Sequence, residues 1–129
     1  MSEQKKIIAV DAMSGDKGPS AVLGGINQFL YQNGEDKVAF RLFGDEKKLR
    51  RMLTKYPRVG RNVEVVHAPN VIRGTDKVMD VLRHAQDTSM YMAIKDVREG
   101  NSAAVISAGN TGILMSLSKL ALKTIDGIS

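Results

Sequence analysis

The sequence predicts an α/β fold: a Rossmann-like three-layer αβα sandwich in which helices cover both faces of a mostly parallel sheet. Short apolar runs alternate with segments of helical periodicity, in the order β-α-β-α-β-α-α-β-α. Strands that alternate with helices need crossover connections, and such connections produce parallel sheets. Runs such as "IIAV" and "AAVIS" are almost continuously apolar, so burial on both faces of the sheet is expected.

The first strand and helix are predicted from "KKIIAV" and from the segment that follows "SGDKGPS". Pro19 is placed to open the first turn of that helix, and Asn33-Gly34 is expected to close it. Gly24 and Gly25 weaken the helix by about 1 kcal/mol each relative to alanine, so close packing on the sheet is the expected reason for them. Four apolar residues of this helix recur at helical spacing and are expected to form one face: Val22, Ile26, Phe29 and Leu30.

The second strand and helix have clearer patterns. Side chains alternate between two faces in "KVAFRLFGD", and "DEKKLRRMLTKY" contains one apolar stripe, formed by Leu49, Met52, Leu53 and Tyr56. Asp45 and Glu46 suit the start of this helix, and Pro57 is expected to stop it. Its basic side chains predict a solvated face or, as the alternative, a surface for an acidic protein: Lys47, Lys48, Arg50, Arg51 and Lys55.

The second half of the chain predicts two further strands, "RNVEVVHAP" and "SAAVIS", separated by a helical region over 76–99. The apolar stripe of this region loses its register at Asp87-Thr88-Ser89, three residues of types that favour N-caps. Two helices, or one helix kinked at this point, are therefore expected, with Gly100 at the end. A final helix is predicted over "NTGILMSLSKLALK", and a further strand is expected beyond it.

The composition is that of one soluble domain, with 129 residues, 43% apolar and 26% charged. No run approaches the roughly 20 apolar residues of a membrane span, and "MSEQKK" does not begin a signal peptide. The lack of cysteine excludes disulfides and thiolate chemistry and agrees with a cytoplasmic location. The formal net charge of +5 is scattered, and the chain has three Phe, three Tyr and no Trp, so nucleic acid is not an expected partner.

The predicted strand ends point to a binding site for an anion. Ligands of open parallel sheets bind beyond the carboxyl ends of the strands. Two of the segments expected there, "DAMSGDKGP" and "SAGNTG", are rich in glycine and lead directly into a helix, whose first amides can bind an anion. Neither the dinucleotide-binding nor the Walker glycine pattern is present. The alternative is that both segments are ordinary turns between a strand and a helix.

Two long motifs resemble the signatures of one enzyme family. "VDAMSGDKGPS" is similar to the N-terminal signature D-x-M-G-G-D-x-G-P of the bacterial phosphate:acyl-acyl-carrier-protein acyltransferases, the PlsX family. "VISAGNTGILM" resembles the second signature of that family, and "LRHAQDTSMYMAIKDVREG" resembles the segment between the two. The chain departs from the usual pattern at Ser14, where the family has glycine, at Thr88, where it has serine, and at Val78, where proline is common. A lysine that usually lies near Arg83 is also missing.

The resemblance implies an enzyme of phospholipid synthesis that converts acyl-acyl-carrier protein and inorganic phosphate into acyl phosphate and free carrier protein. It implies a fold similar to that of phosphate acetyltransferases and isopropylmalate dehydrogenases, and no metal or other cofactor. Full-length members are homodimers that associate peripherally with the membrane. Residues 1–129 resemble only the N-terminal third of a member, so they are expected to be a single-domain fragment of a longer acyltransferase, inactive in isolation.

The predicted phosphate and substrate site combines the two glycine-rich segments with two further residues. The second segment would bind phosphate through its backbone amides and side chains, and Asn110 is the candidate to stabilise the oxyanion. The first segment and the helical region over 76–99 would help to bind the phosphate. The predicted set is Ser107, Gly109, Asn110, Thr111, Gly112, Asp11, Gly15, Asp16, Gly18, Arg83 and Ser89.

Simpler roles compete for several of these residues. Asp11 and Asp16 could form an acid–base or metal-binding pair, but hydrogen bonds from Asp11 to loop amides and a helix cap at Asp16 are favoured. Ser89 is favoured as a helix cap over a phosphate donor, and a solvated face competes for Arg83. His67 is expected to be a loop residue, and His84 to be exposed. Met79, Met90 and Met92 are expected in the core, with an acyl-chain groove as the alternative.

Two other classes of function stay open on the sequence. One is a non-catalytic module of the same architecture that binds an anion or a nucleotide. The other is a docking domain whose basic helix binds an acidic carrier protein. Stabilisation by phosphate would favour the enzyme, a preference for nucleotide the module, and stabilisation by an acidic protein that salt abolishes the docking domain.

Overall fold

The computed structural model describes residues 5–15, 17–71 and 86–108. Within these ranges the chain alternates strands and helices as the sequence predicts. The elements are β1 (Lys6–Asp11), α1 (Gly18–Asn33), β2 (Val38–Gly44), α2 (Glu46–Leu53), α3 (Pro57–Gly60), β3 (Val63–His67), α4 (Ser89–Arg98) and β4 (Ala104–Ser107). The predicted final helix and the first part of the helical region over 76–99 lie outside the described residues.

The four strands form one parallel sheet in the order β3-β2-β1-β4. The chain therefore builds outward from β1 to β3 and then crosses back to place β4 on the other side of β1. In the register of the sheet, Asp11 at the end of β1 is level with Phe43 of β2 and with Ser107 of β4. The segments that follow β1 and β4 consequently start side by side at the carboxyl edge, and the α/β prediction is confirmed.

One face of the sheet packs against α1, α2 and α3. Leu42 of β2, Leu23 and Leu30 of α1, and Leu49 of α2 are all buried in this larger core. The sequence prediction for α1 missed Leu23, which is fully buried, and included Phe29, which is 39% exposed. The sheet-facing stripe of α1 therefore runs through Leu23, Ile26 and Leu30, a rotation of the predicted stripe by about one residue.

The explanation offered for the paired glycines of α1 is wrong. Among the described residues, a Cβ atom built at Gly24 or at Gly25 would have no other heavy atom within 4 Å, apart from its neighbours in the chain and the helix backbone. Close approach of the helix to the sheet therefore does not require glycine at either position. Both glycines lower the helix propensity of α1 without a packing reason inside the described part of the chain.

The other face of the sheet packs against α4, so helices cover both faces. Ala9 and Phe43 form a smaller core with Ala93 of α4. Met90 is fully buried and Met92 packs at the edge of this core, as predicted. Met79 lies outside the described residues.

The helix boundaries follow from identifiable caps. The Asp45 side chain accepts a hydrogen bond from the Lys48 amide at 3.2 Å and caps α2, as its place in the sequence suggests. Helix α2 ends at Leu53, and Pro57 does not only stop it: Pro57 occupies the first turn of the short helix α3, which the sequence analysis missed. Proline suits this position because the first turn of a helix does not need its amide proton.

Hydrogen bonds to the carboxylate of Glu35 predict that the stability of the fold depends on pH. Glu35 accepts hydrogen bonds from Arg61 at 3.1 and 3.2 Å and from Asn62 at 2.8 Å. The Arg61 bonds, followed by the Asn62 bond, lower the pKa of Glu35 below its ordinary value of 4.5. A lowered pKa in the folded state means that the carboxylate stabilises the fold above pH 4.5 and that this contribution disappears as the pH falls through the lowered pKa.

We expect Glu35→Gln to cause a small loss of stability at pH 6 that shrinks as the pH falls below 4.5 towards and through the lowered pKa of Glu35, because the wild-type carboxyl is then protonated increasingly as well. Urea denaturation at pH 6 and at a series of values below pH 4.5 measures the difference. An equal loss at all of these values would mean that the side-chain amide is tolerated poorly for steric reasons and that the charge of Glu35 has no role.

Candidate functional site

The carboxyl edge of the sheet is organised around Asp11, the last residue of β1, which is fully buried. Its Oδ1 accepts hydrogen bonds from the amides of Met13 at 3.2 Å and Ser14 at 3.3 Å, so the expectation that Asp11 binds loop amides is confirmed. The same oxygen accepts from the Ser89 hydroxyl at 2.6 Å, and Oδ2 accepts from the Ser107 hydroxyl at 2.8 Å. Four donors thus use the carboxylate, which leaves it poorly placed to act as a general base or a metal ligand.

Asp11 joins three elements that are distant in the sequence: the loop after β1, the start of α4 and the end of β4. Ser89 is the first residue of α4 and not its cap, because Thr88 has an extended backbone and its side chain accepts from the Tyr91 amide at 3.2 Å. The prediction of a cap at Ser89 is therefore wrong by one residue. The hydroxyl protons of Ser89 and Ser107 are both directed at Asp11, so both side chains fix the position of its carboxylate.

The two glycine-rich segments are in contact, as the sequence predicts. A Cβ atom at Gly15 would lie 3.0 Å from both the Cβ and the carbonyl oxygen of Ala108. Gly15 also has φ of +96°, a conformation that other residues rarely adopt. Glycine at this position therefore lets the first segment approach the beginning of the second.

The N-terminus of α1 follows the first glycine-rich segment, and among the described residues no side chain caps it. Its N-cap residue is Lys17, whose side chain makes no capping hydrogen bond, and the first turn contains no acidic residue. The Gly18 amide already donates to the Gly15 carbonyl oxygen at 3.2 Å, and Pro19 has no amide proton, so it is the positive end of the helix dipole that favours an anion at such a position. Asp16, predicted as the cap, lies outside the described residues. Gly18 begins the helix with φ of +61°.

The side chain of Ser14 is a second unusual group in the first segment. Ser14 is 2% exposed, and its hydroxyl oxygen has no hydrogen-bond partner in the part of the chain that the structure describes. A buried hydroxyl without a partner costs about 1–3 kcal/mol, so a ligand that accepts a hydrogen bond from it would recover this energy. The sequence had marked Ser14 as a departure from the family motif, but its burial could not be read from the motif.

Replacing Ser14 by alanine is expected to change the stability of the fold and the binding of phosphate in opposite directions. We expect Ser14→Ala to raise the free energy of unfolding by about 1 kcal/mol, because it removes a buried hydroxyl that lacks a partner. We expect the same variant to be stabilised less by inorganic phosphate than the wild type. Urea denaturation with and without phosphate measures both effects. Unchanged stabilisation by phosphate would remove the Ser14 hydroxyl from the candidate site.

His67 has a hydrogen-bond partner that the sequence did not predict. This residue ends β3, and its Nδ1 accepts a hydrogen bond from the Glu46 amide at 3.2 Å, so it is not the unpartnered loop residue that was expected. The imidazole thus supports the first turn of α2. The spacing between His67 and Glu46 gives no local signal for this contact, because it depends on the pairing of β2 with β3.

The predicted site residues fall into two groups. The structure brings together Asp11, Gly15, Gly18, Ser89 and Ser107 at or near the carboxyl edge. The others lie outside the described residues, and their part in the site stays a prediction: Asp16, Arg83, Gly109, Asn110, Thr111 and Gly112. Across 5–15, 17–71 and 86–108, no group of three or more His, Cys, Asp or Glu could hold a metal ion. None of the described helices is long and apolar enough to cross a membrane.

Comparison with known proteins identifies one family. The model of the family described as "fatty acid synthesis protein" matches residues 6–129. A phosphate acyltransferase of Maricaulis maris is 39% identical over 121 residues, which are 94% of this chain and 34% of that protein. A phosphate acyltransferase of Exiguobacterium sibiricum is 42% identical over 122 residues, 95% of this chain and 36% of that protein. The chain thus spans about a third of the length of these curated relatives.

Proposed function

Because the chain belongs to the family of fatty acid synthesis proteins, we propose that it forms the phosphate-binding part of a phosphate acyltransferase. The reaction joins inorganic phosphate to the acyl group of an acyl-acyl-carrier protein. A phosphate oxygen attacks the thioester carbonyl carbon, the carbon–sulfur bond breaks, and the proton of hydrogen phosphate passes to the departing thiolate. The products are acyl phosphate and the carrier protein with a free thiol, and the balance needs no oxidant or reductant.

The observation that carries this proposal is the position of Asp11. Its four hydrogen bonds hold the loop after β1 beside the end of β4, directly next to the start of the segment "GNTG". At the same edge the N-terminus of α1 adds the positive end of its dipole, and the Ser14 hydroxyl adds a hydrogen-bond donor. A dianion that must be held without a metal needs such a concentration of donors.

The roles within the site divide into binding and positioning. We assign phosphate binding to the amides of Gly109, Asn110, Thr111 and Gly112, with Asn110 also stabilising the oxyanion of the tetrahedral intermediate. Asp11 acts as a positioning residue, since a carboxylate whose lone pairs are used would only repel a phosphate in direct contact. Ser89 and Ser107 hold Asp11, and Gly15 lets the two segments meet.

The remaining assignments follow from the resemblance alone. We propose that Asp16 and Arg83 contribute to the same site, that residues 1–129 fold as a single domain, and that the complete enzyme is a cytoplasmic homodimer that associates peripherally with the membrane. The basic residues of α2 are exposed and are candidates for contact with the acidic carrier protein. Across the described chain, three of them form no ion pair: Lys47, Lys48 and Arg51.

Ligand-induced stabilisation tests the proposal. We expect inorganic phosphate to raise the free energy of unfolding of the chain by about 2.7 kcal/mol at a hundredfold excess over Kd, whereas AMP should add no more than its phosphate group does. Thr111→Val, which keeps the shape of the side chain, should weaken the phosphate effect, and Thr54→Val, at an exposed threonine just after α2, serves as the control. Thermal unfolding measures both.

Two outcomes would overturn the proposal in favour of its rivals. A nucleotide that stabilises the chain far more than inorganic phosphate would indicate a nucleotide-binding module. Stabilisation only by an acidic carrier protein, abolished both by salt and by Lys47→Glu with Lys48→Glu, would indicate a docking domain. Turnover of acyl-carrier protein by the 129-residue chain would contradict the expectation that the isolated chain is inactive.

A further inference from the structure

An apolar groove lies between α1 and the strands β1 and β4. It encloses about 340 Å³, and its wall is formed almost entirely by hydrocarbon side chains, among them Ile8, Val10, Val22, Phe40 and Ile106. Three large apolar residues are exposed in the described part of the chain, and two of them border this groove: Phe29 at 39% and Ile106 at 53%. An apolar surface of this kind on a folded domain marks a place where something binds.

Gly25 keeps the groove open. It lies on the wall of the groove, and a Cβ atom at this position would have no contact within 4 Å in the described part of the chain. Alanine or leucine there would strengthen α1, so glycine is unfavourable for the helix and unnecessary for its packing. Its presence is explained if the space in front of it is needed by a bound molecule.

One end of the groove reaches the candidate site. Asp11 is the only polar residue of its lining within the described chain, and Ala108 lies beside it. From that end the groove follows β1 back towards Ile8 and follows α1 from Ala21 to Phe29. The eight helical steps from Ala21 to Phe29 give it a length of about 12 Å. The groove is therefore long and narrow, lacks charge along its walls, and opens where the reaction is proposed to occur.

We propose that this groove binds the hydrocarbon chain of the acyl substrate, with the thioester carbonyl at the end next to Asp11 and Ala108. The inference rests on the proposed function, because only an acyl transfer at the carboxyl edge requires such a chain there. An unbranched hydrocarbon matches both the apolar wall and the linear shape. The continuity of the groove with the edge that holds Asp11 decides in favour of a substrate over an unrelated apolar ligand.

Alkyl phosphates of increasing length test this assignment, since they combine the phosphate with a hydrocarbon chain and cannot acylate the protein. Using the 129-residue chain, we expect binding to tighten about fourfold for each added methylene from butyl to octyl phosphate, until the groove is full. Gly25→Leu should abolish this dependence and weaken octyl phosphate at least tenfold, while its affinity for inorganic phosphate stays that of the wild type. Isothermal titration calorimetry measures all of these affinities.

Gly24→Leu is the matched control. Gly24 adjoins Gly25 in the same helix, a Cβ there is equally free of contacts with the described residues, and Gly24 does not line the groove. Both substitutions favour the helix, so both variants should fold. The control should retain the full dependence on chain length.

The possible failures are distinguishable. Affinity that is independent of chain length in the wild type, with phosphate still bound, would overturn the groove assignment and leave the proposed function intact. Failure of the wild type to bind any phosphate would contradict the proposed function itself. If Gly25→Leu changes the sedimentation of the chain but not its chain-length dependence, the groove is an interface between two copies and the assignment is wrong.

Discussion

Replacing Asp11 by alanine is expected to lower the free energy of unfolding by about 3–5 kcal/mol and to abolish stabilisation by phosphate. The substitution leaves two amides and two hydroxyls at a buried position without their acceptor. Hydrogen bonds to a charged group contribute about 1.5–3 kcal/mol each, and their losses are not additive. Urea denaturation with and without phosphate measures both effects.

Two further variants serve as comparisons for Asp11→Ala. Asp11→Asn keeps the size of the side chain but replaces one acceptor oxygen by a donor, so we expect roughly half the loss of stability that alanine causes. Asp36→Ala, at an exposed acidic residue, should change stability by less than about 0.5 kcal/mol. A stable Asp11→Ala protein that still responds to phosphate would disprove the organising role given to this carboxylate.

Gly15→Ala is expected to lower the free energy of unfolding by about 2–3 kcal/mol and the affinity for phosphate about tenfold. The first loss combines a left-handed backbone conformation with a Cβ that would lie 3.0 Å from two atoms of Ala108. The second arises because the loop after β1 would have to move away from the end of β4. Chemical denaturation and calorimetry measure the two quantities separately.

Gly18→Ala separates the effect of backbone strain at positive φ from the effect of a steric contact with Ala108. Gly18 also has a left-handed φ, of +61°, but a Cβ there would have no atom of the described residues within 4 Å, its chain neighbours and helix backbone aside. We expect this variant to lose about 1–2 kcal/mol of stability, with a smaller effect on phosphate binding than Gly15→Ala. Equal losses of affinity in both variants would show that the contact between Gly15 and Ala108 does not matter for the site.

The elements of the fold were predictable because their signals are local. The apolar runs of β1 and β4, the cap at Asp45 and the interruption before Ser89 each depend on a few neighbouring residues. The proximity of the two glycine-rich segments followed from parallel topology, since adjacent strands end at the same edge. Errors arose at boundaries, as with Pro57, which ends one helical pattern but begins another.

The hydrogen bonds, the buried hydroxyl and the groove of the site were harder to predict from the sequence. That Asp11 accepts from Ser89 and Ser107 depends on contacts across 78 and 96 residues, for which no local pattern exists. The burial of the Ser14 hydroxyl depends on the same long-range packing. The groove was hidden for a different reason: Gly25 had been explained by close packing, whereas the helix simply lies far enough from its neighbours to leave space.

The separation of the partners of Asp11 along the chain has a consequence for how this protein acquires its site during folding. Contacts between residues so far apart form only after the intervening strands and helices have been gathered, because closing long loops is entropically unfavourable. Helices α1 and α2 and their strands can associate earlier through nearer contacts. Partly folded chains with a formed β1–β2 core will therefore not recognise phosphate, and in refolding experiments the ligand will slow unfolding without accelerating the early steps of folding.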